Sequence, residues 1–167
     1  MSAATEALCN HPVFRFFRVI SDIPRPSKHE EQISQFLFRW ARERGLEAEQ
    51  DEKLNILIRK PATPGYEGAP GIMLQAHMDM VCEKAPEAEH DFMKDPIHWE
   101  LDGDILSTGR RTTLGADDGI GVAMAMAVLD DDTLPHPPLE VLFTTAEEED
   151  LSGAANFDTA RMAARRL

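Results

Sequence analysis

An α/β fold is expected of this chain on three observations. Apolar side chains recur at steps of three and four over residues 33–41, the spacing of one helix face. Short apolar runs of strand length stand at 54–59, 71–75 and 139–145, and they interleave with helical segments. Two of those runs lead into side chains that carry chemistry, the first into His77 and Asp79 and the second into Glu147 and Glu148. In α/β sheets the carboxyl ends of strands are the usual place for ligands.

Each element has its own warrant. Residues 12–20 are expected to be helical, with Val13, Phe16, Phe17 and Ile20 on one face. Pro24 and Pro26 disfavour helix on either side of the segment that follows. Ser27-Lys28-His29-Glu30 has the form of a capping box, Ser27 as the cap and Glu30 reaching back. Behind it Ile33, Phe36, Leu37, Trp40 and Ala41 form an apolar stripe, and Gly45 stands where a left-handed C-terminal cap belongs. Strands are expected at 46–50 and 54–59 around the polar turn Asp51-Glu52-Lys53. Residues 61–70 form a loop holding three prolines and two glycines, and 71–75 a buried strand. Residues 83–95 are polar and acidic, a surface loop. Residues 119–129, rich in Ala, Val and Met, predict a buried helix, and 139–145 a last strand. The strands are expected to lie between helix layers, and no internal repeat or low-complexity tract interrupts the pattern.

Composition bounds the function. A length of 167 residues with 43% hydrophobic content suffices for one domain with a real core. Seventeen Lys and Arg face 30 Asp and Glu, a formal net charge of −13, which speaks against a nucleic-acid or anionic-membrane partner. Such an excess of carboxylates suits cation binding or simply a solvated surface. No apolar run approaches the ~18–20 residues of a membrane span. Residues 1–10 lack a basic segment followed by an apolar one, so no export leader is expected. Cys9 and Cys82, far apart and outside any C-x-x-C spacing, fit two unpaired thiols in a reducing cytoplasm.

Three segments could carry chemistry. His77 and Asp79, two apart on an extended run, point to one side; an imidazole on a metal commonly donates its other N–H to a carboxylate. The same pair is equally an ordinary structural contact. In Gly115-Ala116-Asp117-Asp118-Gly119 two adjacent carboxylates precede an apolar helix, an arrangement that buries well only against a cation. An exposed acidic turn capping the helix is the other reading. The spacing fits neither phosphate-loop nor dinucleotide patterns. Glu147 and Glu148, taken as extended, would diverge, one toward a metal and its neighbour placed as a general base. A run of three glutamates is also a common solvated feature.

Taken together these segments resemble a known family. Leu74-Gln75-Ala76-His77-Met78-Asp79-Met80-Val81, Thr113-Leu114-Gly115-Ala116-Asp117-Asp118-Gly119-Ile120-Gly121, and Pro138-Leu139-Glu140-Val141 leading to Glu147-Glu148 resemble the bacterial aminoacyl-histidine dipeptidases. These are a branch of the co-catalytic two-zinc exopeptidases. The likeness includes Ile56-Leu57-Ile58-Arg59-Lys60-Pro61, His90-Asp91-Phe92 and Lys94-Asp95-Pro96-Ile97, and runs from about residue 14 to about residue 155.

The resemblance implies a mixed sheet flanked by helices and a site holding two Zn2+, with Mn2+ or Co2+ compatible with its carboxylates. It makes His77 a terminal zinc ligand, Asp79 the carboxylate that orients it, and Asp117 the bridge between metals, with a cis Asp117–Asp118 peptide. Glu147 is then the general base and Glu148 a ligand of the other zinc. The substrates implied are small dipeptides, Xaa-His among them, and the family is homodimeric. Glu149-Asp150 departs from the small residue and glycine that relatives carry, adding carboxylate beside the ligands.

In that family two further ligands, an acid and a histidine, lie beyond the matched stretch, as does a smaller domain for dimerisation and substrate. Residues 1–167 are thus expected to be part of a catalytic domain, the N-terminal portion, ending just at the next strand with an open sheet edge. His11, His29, His90, His98 and His136 sit in capping, helical or loop contexts and offer no substitute. An inactive metal-binding fragment is the alternative function, and an acidic interaction module a third class.

Overall fold

The computed structural model describes residues 3–164, 166 and 167; residues 1, 2 and 165, which bear on the reading of both termini, lie outside them. The helices expected from periodicity are present as α2 (Pro12–Ser21) and α3 (Glu31–Glu43), preceded by a short α1 (Ala3–Leu8). His11 caps α2, its Nδ1 accepting from Val13 N at 3.3 Å. Strands β1 (Glu47–Gln50) and β2 (Ile56–Lys60) form a hairpin around residues 51–55. Next come β3 (Ile72–His77), the small hairpin β4 (Glu100–Asp102) and β5 (Ile105–Ser107), α4 (Ala116–Asp130) and β6 (Leu139–Thr144). Two single helical turns, α5 (Glu147–Asp150) and α6 (Ser152–Ala155), and a 3-10 turn at Thr159–Arg161 complete the order.

The main sheet is mixed, in the order β1-β2-β6-β3. β6 runs antiparallel to β2 and parallel to β3, with His77 in register with Thr144. The two strands that lead to chemistry therefore end at the same edge of the sheet. Strict alternation explains why β2 and β6 read as continuous apolar runs, because each is buried on both faces. Ile56, Ile58, Val141 and Phe143 point into the large core with α2, α3 and α4. Leu57 and Leu142 point the other way, against Met73 and Phe157. The mixed sheet flanked by helices is as expected; on that second face the described residues that pack against Leu57 and Leu142 include Phe157, Met162 and Ala164.

The capping box is a correction. Helix α3 begins at Glu31, its cap position is Glu30, and no side chain caps it. Glu30 does reach back, but to Lys28 N at 2.9 Å, and Ser27 Oγ turns to Asp79 instead. The hairpin of β4 and β5 went unread because its strands have three residues each, too short for a period to show. Beyond the sheet, Arg166 makes an isolated parallel bridge to Ile72, with Met73 N donating to Arg166 O at 2.8 Å. No helix among the described residues is long and apolar enough to cross a membrane.

Candidate metal centre

His77, the last residue of β3, is 7% exposed, and its ring is held between carboxylates. Nδ1 lies 3.4 Å from Asp79 Oδ1 and 3.2 Å from the Asp79 carbonyl oxygen. Nε2 points outward, 3.1 Å from Asp117 Oδ1 and 3.8 Å from Glu147 Oε2. Burial alone would lower the imidazole pKa, but the bonds to Asp79 and Asp117 and the charge of Glu147 raise it to about 9.

Asp79 is fully buried. Its Oδ1 accepts from Glu147 N at 3.1 Å, and its Oδ2 accepts from Glu148 N at 3.2 Å and Ser27 Oγ at 2.6 Å. Burial would raise its pKa, yet the hydrogen bonds from His77, Ser27 and the two amides hold it down at about 2. One carboxylate thus orients the imidazole and caps the turn that carries both glutamates. A four-residue helical turn cannot stand alone, and α5 is fixed from outside. Ala146, at φ 52, donates its N–H to Glu30 Oε1 at 2.8 Å. Thr145 N donates to Asn55 Oδ1 at 3.1 Å, and Asn55 Nδ2 donates to Gly153 O at 3.0 Å.

Glu147 and Glu148 therefore stand on a helical turn, not on the extended segment expected, and they do not diverge. Each of His77, Glu147 and Glu148 offers a ligand atom within 4.8 Å of the others. Glu148 has its pKa raised, first by burial and then by Asp117, Glu147 and Asp79 around it, against the lowering effect of His77. Asp117 joins this group through His77, but its side chain is 85% exposed rather than buried in the strand-to-helix junction. The Asp117–Asp118 peptide is cis, and the backbone is non-helical at both residues. Asp118 turns inward, Oδ2 accepting from His77 N at 3.3 Å and Oδ1 from Gly121 N at 3.2 Å.

The additional carboxylates lie to the side. Asp150 pairs with Lys28 Nζ at 3.0 Å and accepts from Ser152 N, and Glu149 is exposed. Three residues that shape the site were not singled out in the sequence as site residues: Arg25, Asn55 and Asp118. Two more, Ser27 and Glu30, were assigned to a helix cap. The one sequence sign at Arg25 was a cation between two prolines, in a segment unable to be helical.

The donor set suits a divalent ion: a neutral-capable imidazole with a second carboxylate behind it, and several acidic oxygens on its open side. Known proteins resemble this chain over most of its length. No family model matches the chain. It is 50% identical over 147 residues to the cytosol non-specific dipeptidase of Escherichia coli, a match covering 88% of this chain and 30% of that protein. The aminoacylhistidine dipeptidase structure from Vibrio alginolyticus superposes with a TM-score of 0.88 at 44% identity, over 92% of this chain and 31% of that one. The aminopeptidase PepT structure from Bacillus cereus, at 24% identity and a TM-score of 0.77, shares the fold over 93% of this chain and 42% of its own. The chain spans about a third of the length of the dipeptidases it matches.

Proposed function

Proceeding from its similarity to the aminoacyl-histidine dipeptidases, we propose that this chain carries part of the centre of a metal-dependent dipeptidase. The observation that carries the proposal is the convergence of His77, Glu147 and Glu148 within 4.8 Å, with Asp117 Oδ1 3.1 Å from the same imidazole. In this reading His77, Asp117 and Glu148 would hold two Zn2+, with Asp117 as the ligand they would share; Mn2+ or Co2+ would suit the same oxygens. When bound, the ions supply Lewis acidity toward a peptide carbonyl and acidify a water molecule.

The remaining chemistry belongs to the chain. Asp79 occupies the Nδ1 side of His77, which leaves Nε2 as the ligand atom. Through the Glu147 and Glu148 amides, Asp79 also fixes where the two glutamates start. Glu147, 39% exposed and beside the imidazole, takes a proton from the attacking water and passes it to the departing amine. The scissile C–N bond is then replaced by a carboxylate and a free amine, with the water's atoms shared between them.

Residues 1–167 are read as part of the catalytic domain. Two further ligands and a lid or dimerisation domain are assigned to sequence present in the longer relatives. Xaa-His and other small dipeptides are the proposed substrates, a homodimer the proposed assembly of the whole protein, and the cytoplasm its compartment. The two free thiols and the E. coli relative's name support that compartment.

A second reading, a chain that binds metal without turnover, is favoured by the exposure of Asp117 and by the presence of a single histidine in the cluster. The test is hydrolysis of Xaa-His dipeptides by the chain with and without added zinc, beside Glu147→Ala. Zinc-dependent turnover that the substitution abolishes supports the first reading for this chain itself. Zinc binding without turnover supports the second, and neither binding nor turnover contradicts both.

A further inference from the structure

Arg25 is the largest fully buried side chain among the described residues, at 2% exposure. Its Nη1 donates to the carbonyl oxygens of Met78 and Asp79, at 3.3 and 3.2 Å. Its Nη2 donates to Gly115 O at 2.6 Å. One guanidinium thus ties the end of the His77–Asp79 segment to the start of the junction that presents Asp117. The return contact is Met80 N donating to Arg25 O at 3.1 Å.

The glycines of the junction make room for it. A Cβ at Gly115 would stand 2.5 Å from Arg25 Nη2, and one at Gly119 2.7 Å from the same atom. Gly115 also lies at φ 67, where a side chain is strained. Arg25 Nη2 is the nearest atom at both glycines flanking the Asp117-Asp118 pair, with Met80 Sδ 2.8 Å from the Gly115 position and Phe17 Cε2 2.8 Å from the Gly119 position packed beside it.

The guanidinium is not placed to satisfy all of its own donors, because Arg25 Nε is buried with no hydrogen-bond partner. What it does satisfy is three carbonyls from two segments, Met78, Asp79 and Gly115, which would lose this donor if Arg25 were replaced alone. Burial lowers the guanidinium pKa to about 10, so it stays charged at neutral pH and its donors stay in place.

We propose that Arg25 is a positioning residue that clasps the His77–Asp79 strand end to the Asp117 junction and so sets the spacing of the metal ligands. The proposal rests on the metal-centre reading above, and its test separates the two. Backbone amide exchange, read by mass spectrometry on the metal-free chain, is compared for wild type, Arg25→Met and Arg25→Lys. Zinc affinity is then measured on the same three proteins.

Local loosening is expected. Exchange at residues 115–121 rises about tenfold or more in Arg25→Met, partly restored in Arg25→Lys, while peptides from α3 and β2 keep their rates. Zinc affinity falls about ten- to a hundredfold in Arg25→Met, and less in Arg25→Lys. If Arg25→Met does not fold, the same contrast in Arg25→Lys decides. Unchanged exchange at 115–121, or a rise spread evenly over the chain, overturns the clasp. Local loosening with unchanged zinc affinity overturns its role in spacing the ligands. A wild type that binds no zinc overturns the metal-centre reading and with it the proposed ligand-spacing role; the exchange contrast then tells whether the backbone clasp itself exists.

Discussion

Asp79 concentrates the chemistry of the site in one residue. It faces the imidazole, caps α5 through two amides and takes the Ser27 hydroxyl, all from a fully buried position. Removing its charge should therefore cost more than a surface carboxylate would. Asp79→Asn keeps one acceptor oxygen where two are used, and should destabilise the metal-free chain by about 1–3 kcal/mol, measured by urea unfolding at neutral pH. The pH dependence follows from the same contacts. Asp79 is held at about 2 in the folded chain against an ordinary 3.8, so its contribution is whole above about pH 4 and disappears as pH falls toward 2. His77 is raised to about 9 from 6.5, so its contribution is whole below 6.5 and lost as pH rises through 9. The metal-free chain should be most stable between about pH 4 and 6.5, and Asp79→Asn should flatten both flanks of that profile. A profile rising steadily from pH 6 to 9 would contradict these contacts.

Among the elements, α4 shows how the sheet places a helix. Its first turn is broken at Asp117 and Asp118, and its last turn ends on a lysine from β2. Lys60, 8% exposed, donates from Nζ to Leu129 O at 2.9 Å and Asp131 O at 2.8 Å, satisfying carbonyls that a helix end leaves open. Lys60→Met keeps the aliphatic stem and removes the donor; it should cost about 1–3 kcal/mol by thermal unfolding, without altering zinc affinity. An equal loss in Lys60→Met and in zinc binding would mean that α4 moves as one rigid piece with the centre. The long elements were legible because their apolar patterns are strong: the helical period of Ile33, Leu37, Trp40 and Ala41 on α3, and the continuous apolar run Ile56, Leu57 and Ile58 on β2. The capping box misleads because its oxygens have distant partners too: Ser27 turns to one, and Glu30 Oε1 takes one besides the local Lys28 amide. Asp79 and Ala146 N supplied the distant ones. Glu147 and Glu148 read as extended in the sequence because nothing local nucleates the turn they stand on.

At the scale of the whole molecule, a parallel pairing of β3 with β6 brings together residues about 70 positions apart. The three segments of the site were legible in the sequence as segments, through H-x-D, G-A-D-D-G and E-E. Their convergence into one site was legible only through the family resemblance and not from the residues' own pattern, because register and handedness belong to the sheet. Arg25 was invisible for the same reason, since its partners are carbonyl oxygens that carry no sequence signature. The net charge of −13 gains a local meaning as well: Asp79, Asp117, Glu147 and Glu148 surround one imidazole, and a divalent ion would relieve their repulsion. The most direct measurement is the thermal stability of the chain against zinc concentration, for wild type, His77→Ala and Glu148→Gln. The wild type should gain about 2.7 kcal/mol at a hundred times its dissociation constant, with the gain lost or shifted to far higher zinc in both variants. No zinc-dependent gain in the wild type, or an equal gain in all three proteins, would contradict a metal centre at these side chains.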